Sequence, residues 1–278
     1  MYLAKNFVYL ELHKTACTHI GHWISQFVDG QQIGKHNVLP SHLRDRFVLG
    51  SIRNPWDWYV SLWGYGCDNK GSVWHQSLDR VNVAYYWRQL PSEMGGGSVG
   101  IKNFARQFYE DLVKDIEPWR AAYKDSSDPK CFKSWLKLMF AFERRFDVRE
   151  GYGFSPVAVS SGILGYRFLK FFTSLGENLY KEAKLSDRNG LFEVWDKYKL
   201  HGFFIRMEEL EEDLIKGLDL AGCPLSSDQK GQLRQAKENK TNTSSRLPPS
   251  HYHDDETVRM IAERERLIID LFDYNPPV

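Results

Sequence analysis

The chain has few cysteines and they are scattered: Cys17, Cys67, Cys131 and Cys223 form no CxxC or other ligand-like spacing. That excludes a zinc ribbon or a disulfide scaffold, and it suits reduced thiols in a cytosol. No run of roughly 18 apolar residues occurs, so no bilayer-spanning helix is expected. Neither charge is in excess. The 37 Lys+Arg against 36 Asp+Glu leave a formal +1 over 278 residues, which removes the electrostatic basis for a dedicated nucleic-acid or membrane-surface binder. Nothing ahead of the strand-like run Phe7–Leu12 has the basic, apolar and small-residue order of a signal peptide, so a cytoplasmic chain is expected.

What is present is a globular composition, 42% hydrophobic and 14% aromatic, large enough for a sizeable core. Phe7–Leu12 is β-rich; Ile20, Trp23, Ile24 and Phe27 then recur at helical spacing up to Asp29-Gly30. A second apolar run, Phe47–Ile52, leads into Asn54-Pro55. There Asn54 reads as an N-cap, Pro55 as the first helical residue and Asp57 as the partner in a capping box. A third strand, His201–Met207, precedes Leu210, Leu214 and Leu218 on a helix. Continuous apolar strands followed by helices predict an α/β fold with a parallel sheet covered on both faces. Residues 66 to about 200 read as a largely helical insertion with a Gly95-Gly96-Gly97 turn. Lys237–Pro249 reads as a polar loop, and Val258, Ile261, Ile268 and Phe272 mark a closing amphipathic helix.

The loop His13-Lys14-Thr15-Ala16-Cys17-Thr18-His19 joins a strand end to a helix N-terminus, where free backbone N–H groups and the helix dipole hold phosphate or sulfate. Lys14 adds a mobile charge, and Thr15 and Thr18 add hydroxyls able to rotate onto anion oxygens. The glycines that GxxxxGK[ST] needs before its lysine are missing, which disfavours a nucleoside triphosphate cradle and a kinase. Arg53, directly before a capped helix, suits paired hydrogen bonds to a phosphate. Ser61 falls on the helical face shared by Asn54, Asp57 and Trp58, away from Trp56, Val60 and Trp63, and is free to take a polar partner.

His13-Lys14-Thr15-x-x-Thr18 after the first strand and Arg53-Asn54-Pro55-x-Asp57-x-x-Val60-Ser61 after the second resemble the two signatures of sulfotransferases that use 3'-phosphoadenosine 5'-phosphosulfate (PAPS). Arg206-Met207-Glu208-Glu209-Leu210, Asp213-Leu214 and Asn242-x-Ser244-x-Arg246 resemble the carbohydrate-sulfotransferase-like branch. The likeness covers about residues 7–61 and 201–274. It implies a single domain with a P-loop-NTPase-like three-layer fold: a PAPS-binding core over about 5–65 and 200–275, and the insertion as the acceptor site. It places the phosphosulfate on the His13–His19 loop, the 3'-phosphate on Arg53 and Ser61, and Asn242, Ser244 and Arg246 over the nucleotide. The product is adenosine 3',5'-bisphosphate (PAP), and no metal is required, since Lys14, Arg53 and the helix N-termini already supply positive charge. The chain departs from the family where Ala16 and Cys17 stand at positions usually held by glycine, which leaves a non-catalytic nucleotide binder as a rival reading.

The implied reaction is an in-line sulfuryl transfer to a hydroxyl or amine of a small-molecule or carbohydrate acceptor, with Lys14 stabilising the leaving phosphate. Its base is sought between the two signatures. Lys35-His36 resembles the histidine form of that segment in heparan-type relatives, so His36 is the choice, with His42 and Glu11 as alternatives. Cys17 reads as a packing residue, although a helix N-terminus lowers a thiol's pKa. Glu208-Glu209 reads as a complement to a helix dipole. Trp74, Tyr85, Tyr86, Trp87, Trp119 and Trp135 suit either a sugar-stacking cleft or core.

Overall fold

The computed structural model describes residues 1–81, 86, 97–235 and 246–277, with backbone alone for 97–99. Five strands form one sheet: β1 (Tyr2–Ala4), β2 (Phe7–Leu10), β3 (Gly30–Gln32), β4 (Phe47–Ile52) and β5 (Gly202–Arg206), in the order β3-β1-β2-β4-β5. The three strands anticipated from apolar runs are the parallel part, with Phe7 opposite Phe47 and Val48 opposite Gly202. The sheet as a whole is mixed, which corrects the purely parallel expectation. Only Lys5 and Asn6 separate β1 from β2, too few residues for a crossover, so the pair closes as an antiparallel hairpin, and β3 adds antiparallel to β1.

Alternation along the strands divides the apolar surface. Phe7, Tyr9, Leu49 and Ile205 pack on Ile20 and Ile24 of α1 (Cys17–Phe27) and on Leu210, Leu214 and Leu218. Val8, Leu10, Val48 and Ile52 face the other way, onto Trp56, Tyr59, Val60 and Trp63 of α2 (Pro55–Cys67). The sheet is thus flanked by helices on both faces. Gly50 at its centre is required by space: a Cβ there would lie 2.7 Å from the Phe172 ring and 2.8 Å from that of Phe204.

The insertion is helical as expected: α3 (Ser72–Leu78), α4 (Gly97–Val113), α5 (Glu117–Ala122), α6 (Pro129–Phe140), α7 (Val157–Ser160), α8 (Ile163–Phe172) and α9 (Arg188–Tyr198). Four of the aromatics named above belong to the core. Trp119 and Trp135 are fully buried in the same apolar cluster as α2, Tyr86 is buried with its hydroxyl on Asp111, and Trp74 packs on that cluster, so these residues form no sugar-stacking cleft. Tyr85, Trp87, Gly95 and Gly96 lie outside the described residues. After β5 come α10 (Leu210–Leu220) and α11 (Ser227–Gln235). The closing helix is two helices, α12 (Asp255–Arg264) and α13 (Arg266–Phe272), parted at the buried Glu265. Among the described residues no helix is long and apolar enough to cross a membrane.

Helix α2 departs from expectation at its start. Asn54 caps it, accepting from Trp56 N at 3.1 Å, but Asp57 does not complete the capping box. The Asn54 N–H instead donates to Glu208 Oε1 at 2.8 Å, a carboxylate delivered by the turn after β5. With the sheet on one side and the insertion on the other, α2 is buried nearly all round. Trp58, expected on a polar face, is fully buried.

Candidate functional site

Parallel strands bring the segments after β2, β4 and β5 to one edge of the sheet, where open α/β sheets bind ligands. The first is the His13–Ala16 loop. Lys14 (φ 62°) and Ala16 (φ 56°) are both left-handed, on either side of Thr15, the kind of tight turn from which anion-binding concavities are made. Ala16 is the N-cap of α1 and supplies no side-chain acceptor, and the first turn carries no acidic residue. The N-terminal end of this 11-residue helix therefore has no capping side chain and no acidic residue in its own first turn.

Three cations converge on one face of α2, the face of Asp57, Ser61, Gly64 and Tyr65. The Lys14 ammonium sits 3.8 Å from the centre of the Tyr65 ring. Arg53 is 6% exposed, with a carboxylate, Asp57, at 3.8 Å and its Nε without a partner among the described residues. Arg246 lies across Gly64, where a Cβ would meet its side-chain carbons at 3.6 and 3.7 Å, and its buried Nη1 also lacks a partner. Burial, then repulsion from Arg246 and Arg53, pushes Lys14 down to about 8. Burial and Arg246 push Arg53 down to about 10. Ser61 is buried on the same face. Lys14, Arg53, Ser61 and Arg246 are thus brought together; Asn242 and Ser244 lie outside the described residues.

Other residues of the loop are placed differently from their expected roles. Thr15 is fully buried: its hydroxyl donates to the Leu12 carbonyl at 2.8 Å and shares a 2.7 Å hydrogen bond with Ser51, so it braces the loop against β4 instead of rotating toward a ligand. Thr18 Oγ1 accepts from Lys35 Nζ at 3.2 Å. His19 accepts from Trp23 Nε1 at 3.2 Å and so leans along α1. Cys17 stands at the helix N-terminus, yet its pKa is raised, because burial and then the Glu11 charge outweigh the dipole; the thiol stays protonated.

Of the three candidate bases, Glu11 is buried and taken up by the Met1 ammonium at 2.8 Å and Gln32 Nε2 at 2.9 Å. His42 is exposed on a short 3-10 turn, Ser41–Leu43. His36 stands beside the loop with φ 55°, and its ring stacks on His13 at 3.6 Å between centroids and 15° between planes. Because a carbonyl only accepts, the 2.9 Å contact from His36 Nδ1 to Glu11 O makes Nδ1 the protonated nitrogen and leaves Nε2 its lone pair. Burial lowers the pKa of His36, so the ring is neutral at pH 7.

Tyr65, Trp58 and Glu208 belong to this site and were not singled out for it in the sequence. Tyr65 stands four residues after Ser61, a spacing that marks a shared helix face. Trp58 Nε1 donates to the His13 carbonyl at 2.6 Å and ties the loop to α2. Glu208 depends on a contact 154 residues away in sequence, which local pattern does not reveal. No protein-family model, curated protein or solved structure matches this chain.

Proposed function

We propose that the chain is a PAPS-dependent sulfotransferase. The observation that carries the reading is the buried cationic cluster: Arg53 Nε and Arg246 Nη1 are desolvated and unpartnered beside Lys14 and the uncapped end of α1. A buried donor with no acceptor is unfavourable by about 1–3 kcal/mol, more when charged, and a polyanion at this edge would satisfy both. Donors from two elements, the loop with α1 and Arg53 with Ser61 and Arg246, meet at this edge and suit a ligand with more than one anionic group. When bound, PAPS supplies a sulfuryl group that passes to an acceptor hydroxyl or amine and leaves PAP.

The chain's own residues divide the remaining work. Arg53, Ser61 and Arg246 hold the 3'-phosphate. Lys14 leaves the Tyr65 ring to meet charge developing on the 5'-side, where a preorganised cation stabilises the transition state most. His36 Nε2 takes the acceptor proton, its neutral form maintained by burial and its tautomer by the Glu11 carbonyl. Ala16, a left-handed residue with a Cβ where the family carries glycine, is the one observation favouring a non-catalytic nucleotide binder instead.

Titration calorimetry with PAP, 5'-AMP and ATP tests the binding half. PAP is expected to bind and to raise the melting temperature, with 5'-AMP far weaker. Equal affinity for 5'-AMP and PAP removes the role of Arg53, and binding of ATP with magnesium alone favours a kinase. Transfer of labelled sulfate from PAPS across an acceptor library tests the chemistry; PAP binding with no transfer to any acceptor leaves the non-catalytic reading.

A further inference from the structure

We propose that His13 is a positioning residue: its half-buried ring, stacked on His36, holds that imidazole in the plane in which Nδ1–H meets the Glu11 carbonyl and Nε2 remains to take a proton. The inference rests on the proposed function for its consequence to turnover, while its structural content concerns only these two rings. One hydrogen bond at Nδ1 leaves a ring free to tilt about that bond, and a flat partner at 3.6 Å and 15° removes that freedom. His13 is itself held from two further sides. Its carbonyl accepts from Trp58 Nε1 of α2, and its ring lies 6.1 Å from that of Phe171 in α8.

The buried His13 Nδ1 has no partner among the described residues, so packing alone would favour an apolar side chain at this place. An imidazole also keeps the stack neutral. Burial, then the Arg167 charge, coupling to the adjoining His36 ring and the charges of Lys170 and Lys14, hold His13 far below the ordinary histidine range, so its ring does not compete with His36 for a proton. The charged groups acting on the pair are Arg167 and Lys170 of α8, Lys14 of the loop, Lys35 next to His36, and Glu11, whose carboxylate is paired with the Met1 ammonium. Strain points the same way. His36 is held left-handed, at about 1 kcal/mol for a residue with a Cβ, and such positions cluster where a side chain must be aimed.

The test is the tautomer of His36 in 15N-labelled full-length protein, read from two-bond 1H–15N correlations, together with turnover and its pH profile. In the wild type, Nδ1–H is expected to dominate at pH 7. His13→Ala removes the stack: the His36 signals are expected to shift toward mixed tautomers, turnover to fall roughly 10–10²-fold, and PAP affinity to change less than about threefold. His13→Phe restores a flat ring and is expected to recover the wild-type tautomer and most of the lost turnover. An unchanged His36 tautomer in His13→Ala, or a His13→Phe as mixed as the alanine variant, overturns the proposal. Melting curves confirm that each variant is folded. Failure of the wild type to bind PAP counts against the proposed function alone, because the tautomer comparison needs no nucleotide.

Discussion

Arginine is treated in opposite ways at two places in the molecule. At the junction of α12 and α13, Arg264 reaches the carbonyls of Ala158, Val159 and Ser161 and the Tyr152 hydroxyl at 2.7–3.1 Å, closing the C-terminal end of α7; its Nε alone lacks a partner. The next residue, Glu265, accepts from the Tyr59 hydroxyl and from Gly165 N at 2.8 Å, giving α8 the N-terminal acceptor that its own Gly162 lacks. Together they fasten the insertion and the closing helices to α2. At the sheet edge, Arg53 Nε and Arg246 Nη1 find no acceptor among the described residues, Arg53 meets Asp57 only at 3.8 Å, and Lys14 lies over an aromatic face. Buried charge with its partners built in holds a fold together; buried charge left incomplete is held ready for something that arrives.

The largest effect expected from breaking this contrast is at Lys14. Lys14→Ala should lower sulfate transfer by roughly two or more orders of magnitude while PAP affinity falls less, because its charge matters most as the leaving phosphate develops. Equal losses in both, measured by single-turnover kinetics and calorimetry, would make Lys14 an anchor only. Next in size is Glu265, fully buried, whose pKa is pushed up by burial from 4.5 to about 7. Its folded value lies above its unfolded one, so its contribution is complete below about 4.5 and is lost as pH rises to about 7. That difference amounts to about 3 kcal/mol. Glu265→Gln should flatten the stability–pH profile across that window in urea titrations and leave PAP binding unchanged.

A smaller pair of effects has opposite signs. Arg264→Met should lower stability by about 2–4 kcal/mol, since it strands the carbonyls of Ala158 and Val159, whereas Arg53→Met should leave the melting temperature unchanged or raise it while weakening PAP roughly 10–10²-fold. A drop in melting temperature in both would mean that Arg53 is structural. The smallest is Ala16→Gly, expected to add about 1 kcal/mol by relieving the left-handed Cβ without weakening PAP. A loss of stability there would show that the methyl group packs.

The parallel strands and α2 were legible because each is a continuous apolar run with its own stop and cap. Edge strand β3 was not: Gly30-Gln31-Gln32 is exposed throughout and has no apolar alternation to read. Charged groups in the site were legible by residue type, and their consequences were not. Lys14 and Arg53 follow from their places after strands, but their desolvation by Arg246 and by the packing of α2 is a tertiary fact. The same holds for Thr15, whose hydroxyl finds Ser51 on another strand, and for Cys17, where burial reverses the sign a helix dipole alone would give. The break at Glu265 was invisible because the apolar period continues across it.

Helix α2 therefore works as a ruler. Arg53 precedes its first turn, Ser61 and Tyr65 lie along one side of it, and through Trp58 it fixes His13 and with it the ring against His36. The spacing along the proposed donor side is thus set within one rigid rod at 1.5 Å per residue, while the Phe171 ring of α8 seats the His13–His36 pair beside it. Changes in the insertion away from Phe171 can reshape what approaches His36 without altering that spacing, so under the proposed function acceptor preference is free to diverge while the proposed chemistry stays in register.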